Sequence, residues 1–277
     1  RASSSAKEAN DYTLAAQYAK NVINNYGFKL LPDYAKVFEQ GAGEVNDEVI
    51  WSVQYTSDPL TNSTGNNAHV FFLMEYDVQP GMQRDAANGR PFKRFRPTSC
   101  TLGLWNRSND SRYDKNFKSV FYCNKPGTYT INGRSVTLAS GDTAIWLPGV
   151  ELSASIIAAK NYQVITPSKY TPKLYPSLTN FLDPLRPDKT TFEGSRDFLA
   201  FRLAETYLIA AEASMFAGNF VDAVSFVNKV RRRAAYPGKE LLMDITSADL
   251  NIDFILDERE RELLGEQFRW FDLTRTG

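Results

Sequence analysis

Three acids crowd one proline-rich stretch of the chain: Asp183, Asp188 and Glu193. Two carboxyl groups about 5–10 Å apart, one with its pKa raised by an apolar pocket, would suffice to hydrolyse a glycosidic bond. Three acids so close are ordinary in a sequence that is 23% charged, and the favoured reading is solvated loop acids. The run Asp257-Glu258-Arg259-Glu260-Arg261-Glu262 also offers carboxylates. On a helix, Asp257 and Arg261 would form an i,i+4 pair, which predicts a stabilised solvated face. The single histidine, His69, has no Cys, His or clustered carboxylate at metal-ligand spacing. Cys100 and Cys123 have neither metal nor redox spacing; a disulfide and two buried free thiols are equally open. Asp110 and Asp114 could supply oxygen ligands to Ca²⁺. The richest chemistry lies in residues 62–98. There Asn62, Asn66, Asn67, Asp77, Gln83 and several arginines alternate with Phe71, Phe72, Tyr76, Phe92 and Phe95. Aromatic faces beside hydrogen-bonding side chains suit a ligand that has both apolar and polar surface. The competing reading is that these rings pack the interior.

Composition narrows the classes. The 277 residues carry 32 basic and 32 acidic side chains, a formal net charge of zero. Neutrality argues against nucleic acid, which needs a concentrated basic field, and against an anionic membrane surface. No apolar run approaches the roughly 18–20 residues that span a bilayer. The first residue is Arg1, no secretory pattern follows, and the sequence stops just after the apolar run Phe268–Leu273. These ends predict a fragment of a longer protein.

The elements that must position these groups are readable in outline. Leu14, Ala15, Tyr18, Ala19, Val22 and Ile23 predict a helix over 10–26, stopped by Gly27. A short helix is expected at 34–38, and an extended segment at 49–55. Residues 58–97 form a long loop-rich segment, of the kind that usually binds something. Asn132-Gly133 between alternating apolar residues predicts a β-hairpin over 128–138 with a type I′ turn. Five prolines punctuate 165–200, which is expected to lack regular structure. Helices are predicted over 203–217 and 220–234, joined at Gly218-Asn219, their spacing that of one tetratricopeptide unit. A last helix is expected after Thr246 as N-cap.

These C-terminal residues carry a resemblance. The block Arg202-Leu203-Ala204-Glu205-Thr206-Tyr207-Leu208-Ile209-Ala210-Ala211-Glu212-Ala213 is followed by Gly218, Ala223, Asn228, Val230-Arg231 and Arg233-Ala234. Then come Ile255-Leu256-Asp257-Glu258-Arg259, Glu262-Leu263 and Arg269-Trp270-Phe271-Asp272-Leu273. Upstream stand Asn46-Asp47-Glu48-Val49-Ile50-Trp51-Ser52, Arg96-Pro97-Thr98 and Asp110-Ser111-Arg112. In that order the motifs resemble the SusD/RagB family, surface glycan-binding lipoproteins of Bacteroidetes nutrient-uptake systems.

The resemblance implies a mainly α fold with irregular loops and a small β-hairpin, a tetratricopeptide-like superhelix supporting a loop-rich half. Within one domain it places a helical repeat part at 1–44, a loop-rich ligand-binding part at 45–200 and C-terminal helical repeats at 201–277. It implies non-catalytic glycan binding at the outer surface and delivery to a SusC-like TonB-dependent transporter, with no cofactor or metal. It also implies a lipid anchor not in this chain, since neither Cys100 nor Cys123 can be that anchor. Phe95 holds the place, just before Arg96-Pro97-Thr98, where family members stack an aromatic on sugar. Arg94, Phe92, Tyr76, Phe72, Asn66 and Trp105 complete the candidate site. Asp110 with Arg112 is implied to be a structural ion pair. The alternative is a tetratricopeptide scaffold that binds protein and no sugar; an endo-acting hydrolase ranks last.

Overall fold

The computed structural model describes residues 6–276. Its helices are α1 (Asp11–Asn25), α2 (Ser99–Leu102), α3 (Arg112–Asn116), α4 (Ala154–Ala158), α5 (Leu203–Phe216), α6 (Phe220–Ala234), α7 (Ile252–Glu262) and α8 (Arg269–Thr276). The strands are short: β1 (Val49–Val53), β2 (Phe117–Lys118), β3 (Val120–Tyr122), β4 (Gly127–Ile131), β5 (Arg134–Leu138), β6 (Thr143–Trp146), β7 (Gln163–Val164), β8 (Ser177–Leu178) and β9 (Phe198–Arg202). The fold is mainly α with irregular loops and small sheets, as expected. The chain divides into two units. One comprises Arg1–Val53, Ser99–Lys115 and Asp197–Gly277; the other, Gln54–Thr98 and Asn116–Arg196. Residues 99–115, expected in the loop-rich part, therefore belong with the helices.

In the helical unit α5 is the hub. Leu203, Leu208, Ala210, Ala211, Ala213 and Met215 are all buried, so the helix is apolar around its circumference. Helices α1, α6 and α7 pack against it. The alanines permit close approach, and aromatic pairs fill the flanks: Tyr12 stacks on Phe216 at 4.7 Å and Tyr207 meets Phe226 at 6.0 Å. Gly218, at φ +82°, reverses the chain, and Asn219 caps α6 through the Asp222 N–H. The predicted helical hairpin thus forms.

Three expectations need correction here. The last long helix starts at Ile252 with Asn251 as its cap, accepting from the Phe254 N–H. Thr246 instead donates its N–H and hydroxyl to Asp249 and closes a separate turn. Residues 198–200, read as irregular, belong to β9, which pairs antiparallel with β1. Most consequential, the charge run on α7 is not a solvated face. Glu258 and Glu262 are fully buried, and Arg259 and Arg261 nearly so. Arg261 donates to Glu258 at 2.9 Å, three residues away, rather than to Asp257.

These groups belong to a buried ion network. The Arg202 guanidinium grips Glu266 with two bonds of 2.8 Å and reaches Glu48 at 3.0 Å and Glu262 at 2.7 Å. Arg112, equally buried, pairs with Asp110, Glu258 and Glu262 at 2.7–3.0 Å. Arg233 bridges Glu48 and Glu262, and Arg231 adds a bond of 2.6 Å to Glu258. Asp110 with Arg112 is therefore the structural ion pair the resemblance implied. Such a cluster is tolerable in a core because Glu48, Glu258 and Glu262 each have two or more arginine partners to offset their lost hydration.

In the loop-rich unit, Met74, Tyr76, Met82, Phe121, Ile145, Leu147 and Tyr175 form the core. β6 lies between β3 and β7, while β4 and β5 pair as the predicted hairpin. Ile131 and Leu138 point into the core, and the turn residues Asn132 and Gly133 take φ of +51° and +76°. A Cβ at Gly133 would meet nothing within 4 Å. Gly133→Ala is therefore expected to cost about 1–2 kcal/mol from backbone conformation alone. A urea titration of the variant checks this; an unchanged midpoint would mean another turn type is used.

Candidate glycan-binding site

The site begins with a backbone arrangement. A short helical turn, Ala68–Val70, delivers Phe71 and Phe72 to the surface of the loop-rich unit. Residues 92–95 return alongside: the Phe92 N–H donates to the Val70 carbonyl at 2.9 Å. Lys93 takes a left-handed φ of +55° and reverses the local direction. As a result both Arg94 and Phe95 donate their N–H groups to one acceptor, the Phe71 carbonyl, at 2.9 and 3.0 Å. Lys93 Nζ is tied to Glu75 at 2.6 Å. Glu75 lies below the ordinary carboxylate value because of its hydrogen bond from Lys93, reinforced by Lys173.

This geometry lifts the Phe95 ring into solvent, where it is 57% exposed. Phe72 lies 5.5 Å beneath it at a tilt, Phe71 meets it edge-on at 5.8 Å, and Phe181 stacks on Phe72 at 5.1 Å. An exposed ring backed by a half-buried aromatic stack can meet a flat apolar ligand face without rearranging. Arg94 and Arg96 are exposed on either side of it in sequence. Nearby, Phe92 is half-buried, stacks on Phe192 at 5.6 Å and carries the Arg90 guanidinium 5.1 Å from its ring centre.

The structure brings Phe95, Arg94, Phe92 and Phe72 together and puts three other candidates elsewhere. Tyr76 is wholly buried and donates its hydroxyl to the Gly89 carbonyl at 2.5 Å. Asn66 is buried, giving its amide to the Arg196 carbonyl and accepting from the Ala68 N–H. Trp105 is buried against Tyr113 in the helical unit. All three therefore work in the packing, and Tyr76 and Asn66 spend their polar groups on neighbours. Sequence reasoning missed Phe181, which a long separation and a proline-rich setting disguise.

The other reactive-looking groups are also engaged. His69 is buried, with Nε2 at 2.8 Å from the Phe192 carbonyl, and burial pushes its pKa down. Asp183 accepts the Ser195 and Arg196 N–H groups, and Glu193 accepts that of Phe192. Asp188 closes a turn on Thr190 and Thr191, hydrogen bonds that push its pKa down to about 2. A general acid needs the opposite shift. Cys100 is exposed and Cys123 buried, both free thiols. No cluster of three or more His, Cys, Asp or Glu at metal-binding positions occurs among the described residues.

A helical-repeat unit joined in one chain to a loop-rich unit is the architecture of a SusD-type fold. The chain belongs to the SusD family, whose model (SusD_RagB) matches residues 47–277. SusD-like protein P25 of Formosa agariphila is 25% identical over 263 residues, covering 92% of this chain and 44% of that protein. Among solved structures, surface glycan-binding protein A from Bacteroides uniformis aligns with a TM-score of 0.59 at 22% identity, covering 95% of this chain and 45% of that one. A laminarin-binding SusD-like protein aligns at 0.56 and 20% identity, over 97% of this chain and 51% of its own. This chain thus spans about half the length of the proteins it matches.

Proposed function

We propose that the chain binds glycan on the Phe95 platform without altering it chemically. The ring stacks on the apolar face of a sugar while neighbouring arginines hydrogen-bond its hydroxyl rim. The finer part of the proposal is that binding occurs at a bacterial outer surface, on a lipid-anchored protein that passes glycan to a SusC-like TonB-dependent transporter. No helix among the described residues is long and apolar enough to cross a membrane. The observation that carries the reading is Phe95 itself, a large apolar ring held in solvent over a half-buried aromatic stack. Family membership and the likeness to a surface glycan-binding protein and a laminarin-binding SusD-like protein support it.

Native gels cast with polysaccharide test this. Retarded migration should weaken at least tenfold in Phe95→Ala, about 1.4 kcal/mol of binding, with the far-UV spectrum and urea midpoint unchanged. Equal retardation of the variant would remove the platform from the site. Release of reducing sugar would overturn the non-catalytic reading.

A second reading, a scaffold that binds protein, is favoured by one observation in the helical unit. Trp270 and Phe271 on α8 stand 73% and 66% exposed. Protein binding lost in Trp270→Ala, with no polysaccharide retarding the parent chain, would favour it.

A further inference from the structure

The neutral charge of the sequence is a cancellation. The loop-rich unit holds fourteen Lys and Arg against nine Asp and Glu, a net of +5, while the helical unit holds eighteen against twenty-three, a net of −5. The excess is not spread evenly. Among the described residues, every arginine but three has a carboxylate or carbonyl partner. Arg84 has Asp77, Arg134 the Lys160 carbonyl, Arg186 the Asp183 carbonyl and Arg196 the Leu182 carbonyl. The described arginines of the helical unit are all in ion pairs. The exceptions are Arg90, Arg94 and Arg96, whose guanidinium groups have no hydrogen bond or ion pair to any described residue, that of Arg90 lying over the Phe92 ring.

All three fall within seven residues of one another, and Phe95 stands between the last two. The acids that could quench them are taken. Glu75 is held by Lys93 and Lys173, Asp77 by Arg84, and Asp85 accepts from Asn88 and Asn124. A guanidinium is weakly hydrated and presents a planar fork that matches an oxyanion with two parallel bonds. Unpaired forks beside an exposed ring in a positive unit are what an anionic sugar requires.

We infer that the glycan bound at this platform carries oxyanions, as uronic carboxylates or sulfate esters, and that Arg90, Arg94 and Arg96 read them. The inference rests on the glycan-binding reading above and goes further by naming the charge of the ligand. Stacking on Phe95 fixes the ring, and the arginines select for its charge.

Matched polymers test it in 0.15 M salt, about the physiological ionic strength. Dextran sulfate is compared with dextran, and polygalacturonate with its methyl ester, using the full 277-residue chain. At least tenfold tighter binding to one charged member than to its neutral counterpart is expected. Whichever pair discriminates says whether sulfate or carboxylate is read. Combining Arg90→Gln, Arg94→Gln and Arg96→Gln should erase the difference, whereas Lys189→Gln, at an exposed lysine of the same unit, should leave it. A preference that survives the triple variant would reduce the effect to general charge and overturn the inference. So would equal binding to both members of each pair, even with laminarin bound normally, a result that leaves the glycan reading standing. Binding to no polymer at all, laminarin included, would sink both.

Discussion

Arg202→Leu should cost the helical unit about 3–5 kcal/mol, the penalty for leaving buried carboxylates without their cation. Arg202 is almost inaccessible and serves Glu48, Glu262 and Glu266 together. Leucine fills part of the volume but supplies no donor, and the Glu262 backbone carbonyl also loses its bond of 2.6 Å. Arg232→Leu is the control, since its pair with Asp244 lies in solvent and should leave the midpoint in place. Urea unfolding followed by helical signal compares the two; coincident midpoints would show that the network contributes nothing.

The network also sets a pH dependence. Burial alone would raise Glu258 and Glu262, but Arg112, Arg261 and Arg231 around the first, and Arg233, Arg202 and Arg112 around the second, hold both below the ordinary 4.5. Their folded pKa lies below the unfolded one, so the stability they contribute is complete above about 4.5 and is lost as pH falls through the lowered values. Glu266 has the opposite sign, raised chiefly by burial despite Arg202. Arg202→Leu removes one of the cations holding Glu262 down, so its acid transition should begin at higher pH than the parent's.

The other large effect is expected at Gly194. A Cβ there would lie 2.2 Å from the Asn66 carbonyl oxygen and 2.9 Å from Asp183 Oδ2. Neither can step aside. The Asn66 N–H donates to the Gly194 carbonyl at 2.9 Å, and its amide to that of Arg196 at 2.8 Å. Asp183 holds the Ser195 and Arg196 N–H groups. Gly194→Ala should therefore cost about 3 kcal/mol, the upper end for overpacking, because the obstacle is backbone. Hydrogen exchange at the Asn66 and Ser195 amides should accelerate roughly a hundredfold while α5 and α6 stay protected. Unchanged exchange would mean that the loops part without cost.

Local periodicity made the helices legible. The hairpin 203–234 and helix α1 announce themselves by apolar spacing and by Gly218 and Gly27, because those signals are carried within a few residues. The β4–β5 turn was equally plain, since Asn-Gly has few alternatives. Local pattern did not show the burial of α7; only the resemblance, which implies that Glu258 and Arg259 hold the helical repeats together, pointed to it. Its charge run has the composition of a surface, and only its partners Arg112, Arg202 and Arg233, distant in sequence, turn it inward. The site was half legible for the same reason. Composition located segment 62–98, but it could not separate Tyr76, which is buried with its hydroxyl on the Gly89 carbonyl, from Phe95, whose ring stays in solvent. Nor could it single out three free arginines, because pairing is a property of the folded chain.

The shared acceptor at Phe71 has a thermodynamic consequence. Two successive N–H groups fixed on one carbonyl leave the Phe95 backbone little freedom to lose when a ligand arrives, and the ring beneath restricts its rotamers. The ordering cost of association then falls on the flexible polymer and the three arginine side chains, at about 0.5–1.5 kcal/mol for each side chain immobilised. Calorimetry should divide accordingly. Shortening the glycan would ease the entropic penalty, whereas loosening the platform, by replacing Lys93 with a residue free to leave its left-handed conformation, would deepen it.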